Sequence, residues 1–359
     1  MGIPLRFTPG MADQNRPIRI GIIGAGKNTR VMHLPGFQSI EGVSVDLVCN
    51  RSEASSRRVA DEFGIARIES DWRKLVADPE IDAVMIGTWP YLHADATIAA
   101  LRSGKHVLTE ARMACNLGEA ESMLAISREF PDLITQIVPA PMSLDFDAVV
   151  IKLLADKALG DLREVCVTHT GSQFASAEAP MTWRQDAELS GHNVLTMGIY
   201  YEIVRRWLRV DPVQVVATGA VFTRTRPRPE SDERGEVSIP ESVTALGEYA
   251  DGARLVAHFS GVENGLSRNE IRLNGSEGSL RIDFSTKRLY RSNNGATEEI
   301  EVPVPEKVRR GWRVEADFID SIRNGTPVTL TNFEDGIGYM AFTEAVAKSI
   351  EAGGATQKV

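Results

Sequence analysis

Short apolar runs alternate with amphipathic stretches over the first third of the chain. IRIGIIGAG (18–26) is a near-continuous apolar run ending in glycines. It predicts a strand buried on both faces that leads into a tight turn. VSVDLVCN (43–50) predicts a second strand, and SEASSRRVADEFG (52–64) a helix opened by Ser52 and closed by Gly64. Further strands are expected at AVMIGTW (83–89), HVLTEA (106–111) and LITQIVPA (133–140). Between them, LHADATIAALRSG (92–104) and LGEAESMLAISREF (117–130) have helical spacing. Strands and helices at this rhythm predict a parallel sheet covered on both faces.

The rhythm changes after Pro141. One helix over about 144–154 is followed by strands at 163–174, 213–224, 242–250, 253–262, 269–284 and 287–292. Short turns join them, so the sheet is expected to be mostly antiparallel, with one face packed on helices and the other free. Two helices close the chain, at 312–325 and 332–354, the second capped by Asn332 and ended by Gly353. RTRPRPESDERGE (224–236) is expected to be a polar loop. The fold class is therefore α/β: a doubly wound parallel sheet plus an α+β domain with a large open sheet. The expected boundaries are a flexible tail over 1–16, an N-terminal domain over 17–141 and a second domain over 142–359.

Composition narrows the function classes. The chain has 359 residues, enough for two cores, and a net charge of −9. An acidic surface argues against a nucleic-acid partner. Three widely spaced cysteines, Cys49, Cys115 and Cys166, fit a reduced, cytoplasmic setting and behave as small hydrophobes. No apolar run reaches the roughly 18–20 residues of a membrane span. The first residues carry no export signal, and Met11 is a second candidate start. The six histidines are scattered and the cysteines far apart, so no metal site is expected. No GxSxG elbow follows a strand, which argues against a Ser-His-Asp hydrolase.

The first strand ends in Gly24-Ala25-Gly26. Such a turn lets the backbone approach a pyrophosphate, with the next helix offering free N–H groups. The third glycine of the fingerprint falls on Thr29, so the motif is incomplete. The second strand ends Asn50-Arg51-Ser52 where an NAD site usually offers a carboxylate. An arginine with small polar neighbours suits a 2′-phosphate, which favours NADP over NAD. The competing reading of Arg51 is a solvated helix-start residue.

IGIIGAG, HLPGF, GTWPYLHADATIAALRSGKHVLTEARMA, TWRQDAELSGHNVLTMGIYYEIVRRWL and DFIDSIRNGTPV, in that order, resemble the Gfo/Idh/MocA family of NAD(P)-dependent oxidoreductases. The resemblance runs from about Ile18 to Gly353. It implies a Rossmann domain, a C-terminal α/β domain whose open sheet forms a subunit interface, and hydride transfer at a hydroxyl of a sugar, polyol or sugar acid. A homo-oligomer, dimer or tetramer, is therefore expected. The resemblance also implies that Thr88, Trp89, His93 and Glu110 lie near the cofactor, and that Arg184 and Asp186 lie near the substrate.

The resemblance is weakest where the chemistry belongs. The family's Glu-Lys-Pro is Glu110-Ala111-Arg112 here, so the lysine position holds Ala111. The aspartate and histidine of the second motif fall on Thr196 and Tyr200, and His192 stands in place of a glycine. Hydride transfer from a carbinol needs a side chain to take the hydroxyl proton. Arg112 cannot serve as that base, but it can clamp an anion. His192 and Tyr200 are the candidate catalytic residues, with a surface role for His192 and a core role for Tyr200 as the alternatives. His169 reads as a structural residue within a strand. Two other functions stay open: a catalytically silent nucleotide- or ligand-binding protein, and hydrolysis or elimination by transient oxidation with retained cofactor.

Overall fold

The computed structural model describes residues 16–229 and 232–359. Apart from Arg16, the tail expected over 1–16 lies outside the described residues. The N-terminal layer contains strands β1 (Ile18–Ile23), β2 (Val43–Cys49), β3 (Arg67–Glu69), β4 (Ala83–Ile86), β5 (His106–Thr109) and β6 (Thr135–Ile137). Its helices are α1 (Leu34–Gln38), α2 (Glu53–Phe63), α3 (Trp72–Ala77), α4 (His93–Arg102) and α5 (Leu117–Glu129). The strand order is β3-β2-β1-β4-β5-β6 and every pair is parallel. The order reverses between β1 and β4, which opens a crevice at the strands' carboxyl ends.

Local chemistry agrees with the expected boundaries. Ser52 caps α2, and Gly64 ends it at φ +67°, a left-handed conformation that suits glycine. Asn116 and Asn332 likewise cap their helices. β3 and α3 escape a periodicity reading because three and six residues are too few to set a period.

The second layer contains α6 (Asp147–Ala155), β7 (Leu162–Thr170), α7 (Ala187–Ser190), α8 (Met197–Leu208), β8 (Gln214–Ala220), β9 (Thr225–Pro227) and β10 (Arg234–Glu236). It continues with β11 (Ser242–Glu248), β12 (Arg254–Ser260), β13 (Asn269–Gly275), β14 (Gly278–Asp283), β15 (Arg288–Asn293) and β16 (Ile300–Glu301). Helices α9 (Val314–Asn324) and α10 (Phe333–Glu351) and the short β17 (Gln357–Lys358) complete it. Nine strands form one sheet, β16-β15-β14-β13-β7-β12-β11-β8-β17. Within this sheet, among the described residues, only β7 and β12 pair in parallel.

The segment 224–236 is not a plain loop. β9 and β10 form an antiparallel hairpin. Its polar composition misleads because Arg226 is fully buried. The guanidinium donates to Glu241, also fully buried, and to the carbonyls of Phe174, Ser176 and Ala179.

One core lies between the inner face of the nine-stranded sheet and α6, α8 and α10. Two more lie on either face of the parallel sheet. Val314, Phe318 and Ile319 of α9 belong to one of these, so the chain returns to the N-terminal layer near its end. No described helix is long and apolar enough to cross a membrane.

Candidate active site

The crevice begins at the turn after β1. Gly24 has φ +84°, and a Cβ there would lie 2.5 Å from Thr88 Cγ2. Gly26 faces open space, its nearest neighbour to such a Cβ being Gly87 O at 3.8 Å. The Ala25 N–H donates to Asn50 Oδ1 at 2.6 Å, which ties the turn to the end of β2. Asn50 Nδ2 in turn donates to Ser55 O at 3.1 Å. The helical segment beginning at Lys27 starts as a wide turn over Thr29–His33. Its first-turn N–H groups have no intrahelical acceptor.

Thr29, which stands where a third glycine was sought, is buried and donates from Oγ1 to Gly24 O at 3.2 Å. The close approach is supplied from the next strand instead. A Cβ on Gly87, just past β4, would lie 2.2 Å from Thr29 Oγ1 and 2.3 Å from Gly24 O. Gly24 and Gly87 thus have no room for a side chain while Gly26 stays open, a cradle that fits a dinucleotide phosphate.

Arg51 is exposed at the end of β2 and forms no ion pair with any described residue. Ser52 Oγ is spent on the capping box of α2. Glu110 ends β5, where it accepts from Asn28 and from His33 Nε2 at 3.1 Å. His33 Nδ1 lies 2.5 Å from Glu315 of α9. Burial alone would lower the His33 pKa, but two flanking carboxylates override it and raise it to about 9. Burial would raise Glu110, yet His33 and Asn28 hold its carboxyl below the usual range. His93 is fully buried, its ring nitrogens on the carbonyls of Arg112 (2.9 Å) and Thr88 (3.0 Å), and burial lowers its pKa. It braces the backbone of both segments.

Trp89, at the lip of the crevice, stacks on Trp183 with centroids 6.2 Å apart. Thr182 and Arg184, on either side of Trp183, line a cavity of about 510 Å³ in the second layer. That size suits a small-molecule ligand. His169, Arg184, Leu195 and Thr196 stand on its wall. His169 Nδ1 lies 2.9 Å from Thr196 Oγ1. Thr196 occupies the N-cap of α8 but makes no side-chain cap bond, leaving its hydroxyl to the imidazole. Leu195 just before it has φ +48°, a strained conformation for a branched residue. His169 Nε2 has no hydrogen-bond partner among the described residues, and burial lowers the His169 pKa.

Matching family models cover most of the length. Residues 18–135 match the oxidoreductase family with the NAD-binding Rossmann fold, and residues 148–281 match the GFO/IDH/MocA C-terminal domain. The chain belongs to the Gfo/Idh/MocA oxidoreductase family. Levoglucosan dehydrogenase of Pseudarthrobacter phenanthrenivorans is 24% identical over 64% of this chain and 62% of its own length. The chain thus spans less than two thirds of that relative. The dTDP-3,4-didehydro-2,6-dideoxy-alpha-D-glucose 3-reductase of Saccharopolyspora spinosa is 25% identical over 94% of this chain and 99% of its own. Among solved structures, an oxidoreductase domain protein from Kribbella flavida has a TM-score of 0.85 at 24% identity, covering 96% of this chain and 99% of its own. Levoglucosan dehydrogenase in complex with NADH and L-sorbose has a TM-score of 0.81 at 20% identity, covering 95% and 98%. At such identities the likeness is one of fold.

Several candidate residues occupy other roles in this family member. Tyr200 is buried, donates to Asn269 and packs against His169, Phe259 and Phe284. Burial pushes its phenol pKa up, away from acid–base use near neutrality. His192 faces Glu344 of α10, with Nδ1 3.6 Å from the carboxylate, and is not on the cavity wall. Its backbone N–H donates to Cys115 O at 2.8 Å. Gly191 before it packs so tightly that a Cβ would lie 2.1 Å from the same carbonyl. Asp186 caps α7, accepting from the Glu188 N–H at 3.0 Å, so it is not paired with Arg184. Ala111 and Arg112 are joined by a cis peptide bond. His169, read from the sequence as structural, stands on the cavity wall, and β7 held the clue to which face it takes. It shares parity with buried Val165 and Val167, which places it on the helix-covered face rather than the open one.

Proposed function

We propose that the chain is an NAD(P)-dependent oxidoreductase that moves a hydride to or from a hydroxyl-bearing carbon of a small sugar, polyol or sugar acid. His169 serves as proton acceptor, in place of the absent lysine and of His192 and Tyr200. The observation that carries this reading is the His169–Thr196 pair on the cavity wall. With Nδ1–H donated to Thr196 Oγ1, the lone pair of Nε2 is free to take the substrate's hydroxyl proton. Lowered by burial, the imidazole is neutral at pH 7 and therefore able to accept. The turn Gly24–Gly26 and the helix behind it hold the pyrophosphate, while Glu110 and Trp89 border the crevice. When bound, NAD(P) supplies the hydride acceptor or donor.

Arg51, exposed and without an ion-pair partner, favours NADP, because no carboxylate ends β2. The unpaired cysteines fit a cytoplasmic setting. The open face of the nine-stranded sheet supports assembly into a homo-oligomer.

Absorbance at the reduced-nicotinamide band over a panel of sugars, polyols and sugar acids tests the reading. Turnover is expected with at least one, and His169→Asn is expected to lower kcat by about 10²–10⁴-fold. Cofactor affinity should be unchanged in that variant. Cofactor binding without turnover of any compound overturns the oxidoreductase reading, and a fully active His169→Asn overturns the assignment of the base. Arg51→Ala should weaken NADPH binding while leaving NADH binding as it was.

A further inference from the structure

Two guanidinium groups converge on Trp183, and neither has a counter-ion. Arg112 is 1% exposed, and its Nε, Nη1 and Nη2 all lack a hydrogen-bond partner. Arg184 stands on the cavity wall, and its buried Nε is likewise unpartnered. Trp183 holds both, with the Arg184 Cζ 4.2 Å and the Arg112 Cζ 5.7 Å from its ring. A ring face attracts a cation but satisfies none of its N–H groups.

No described carboxylate completes the arrangement. Glu110 is the acidic group whose charge reaches Arg184, yet its oxygens already accept from Asn28, His33 and the Ala111 N–H. Arg184 is the charged group that acts on Arg112; Tyr339 and Cys115 beside it are kept neutral by burial. Burial, followed by repulsion from Arg184, lowers the Arg112 pKa to about 9. A buried unpaired cation is among the costliest features a fold can carry. Two against one indole, Arg184 on the cavity wall and Arg112 buried just past the end of β5, make sense as half of a site whose other half arrives with the ligand.

We propose that Arg184 and Arg112 form an anion subsite, so that the substrate carries a carboxylate or phosphate in addition to its reacting hydroxyl. Arg184 makes the direct contact from the cavity wall, and Arg112 supplies uncompensated positive charge from behind Trp183. The anion anchors the substrate at one end of the cavity while its hydroxyl meets His169. The inference rests on the oxidoreductase reading for its placement, but not for its test.

The experiment is equilibrium binding by calorimetry to the NADPH- or NADH-loaded protein. D-Gluconate and D-glucose 6-phosphate are compared with D-glucose, and D-galactonate with D-galactose. At least one anion is expected to bind about tenfold or more tighter than its neutral counterpart, the gain of a charge-assisted pair. Preference for gluconate and galactonate identifies a carboxylate, and preference for the 6-phosphate identifies a phosphate. Arg184→Met and Arg112→Met should each abolish the preference.

Arg112→Met should also raise the melting temperature of the ligand-free protein, since it removes an unpaired charge. The preferred anion should raise the melting temperature of the wild type but not of this variant. Equal binding of anions and neutral sugars overturns the inference, whether or not the protein turns over. So does a ligand-free Arg112→Met that folds but melts lower than the wild type. Anion preference without turnover of any compound leaves the subsite standing and removes the oxidoreductase reading instead.

Discussion

On the proposed mechanism His169 takes the hydroxyl proton, so its environment should be visible in a pH profile. Burial lowers the His169 pKa, and no described carboxylate pairs with it. Tyr200 packs on its ring at 5.0 Å, and Arg184 shares its cavity, so no facing group favours the imidazolium. The acid limb of kcat/KM for oxidation should therefore fall below the ordinary histidine value of about 6.5. His169→Asn should remove that limb. A limb above 7 would assign the proton to another group. Gly87 offers a second test at this scale. Gly87→Ala places a methyl group 2.3 Å from Gly24 O, a backbone atom that cannot yield cheaply. Fluorescence titration should find cofactor affinity reduced roughly tenfold or more, with far-UV dichroism unchanged. In the sequence His169 read as structural, and Gly87 did not stand out. Gly24 and Gly26 were legible because the turn motif is contiguous, whereas Gly87 serves the same turn from a neighbouring strand. His169 and Thr196 are 27 positions apart, and only folding joins them.

At the scale of elements, the strand–helix rhythm announced the parallel sheet because burial on both faces makes its strands apolar throughout. The hairpin β9–β10 was hidden because its function rests on a buried charge. Arg226 grips the carbonyls of Phe174, Ser176 and Ala179, all in the segment that supplies Phe174, Ala179 and Pro180 to the cavity wall. The hairpin is thus a brace for one side of the candidate site. Arg226→Leu strands the fully buried Glu241 without its cation and should cost about 3–5 kcal/mol in urea unfolding. Hydrogen exchange should rise first across 171–182, and KM should increase more than kcat falls. Exchange confined to other segments would show that the hairpin does not brace the cavity.

For the whole molecule, the decisive feature is the outer face of the nine-stranded sheet. Register places Val216 beside Leu246, Leu246 beside Val256, and Val256 beside Cys166. All four point away from the core, with Val216 38% and Leu246 42% exposed. The row continues through Arg272 and Arg281, which interlock with Glu270 and Glu299. Along this row four strands contribute apolar side chains and the next two contribute charges of both signs. The proposed homo-oligomer would cover this strip, and the mixed charges beside it can pair across a two-fold axis. Light scattering coupled to size exclusion should give a dimer or tetramer. Leu246→Arg places a charge in the middle of the strip without touching Val243 and Ala245, which face the core. It should shift the mass toward the monomer while melting temperature and cofactor affinity change little, because the crevice lies on the other side of the core. A wild type that elutes as a monomer, or a Leu246→Arg variant with unchanged mass, would place the interface elsewhere.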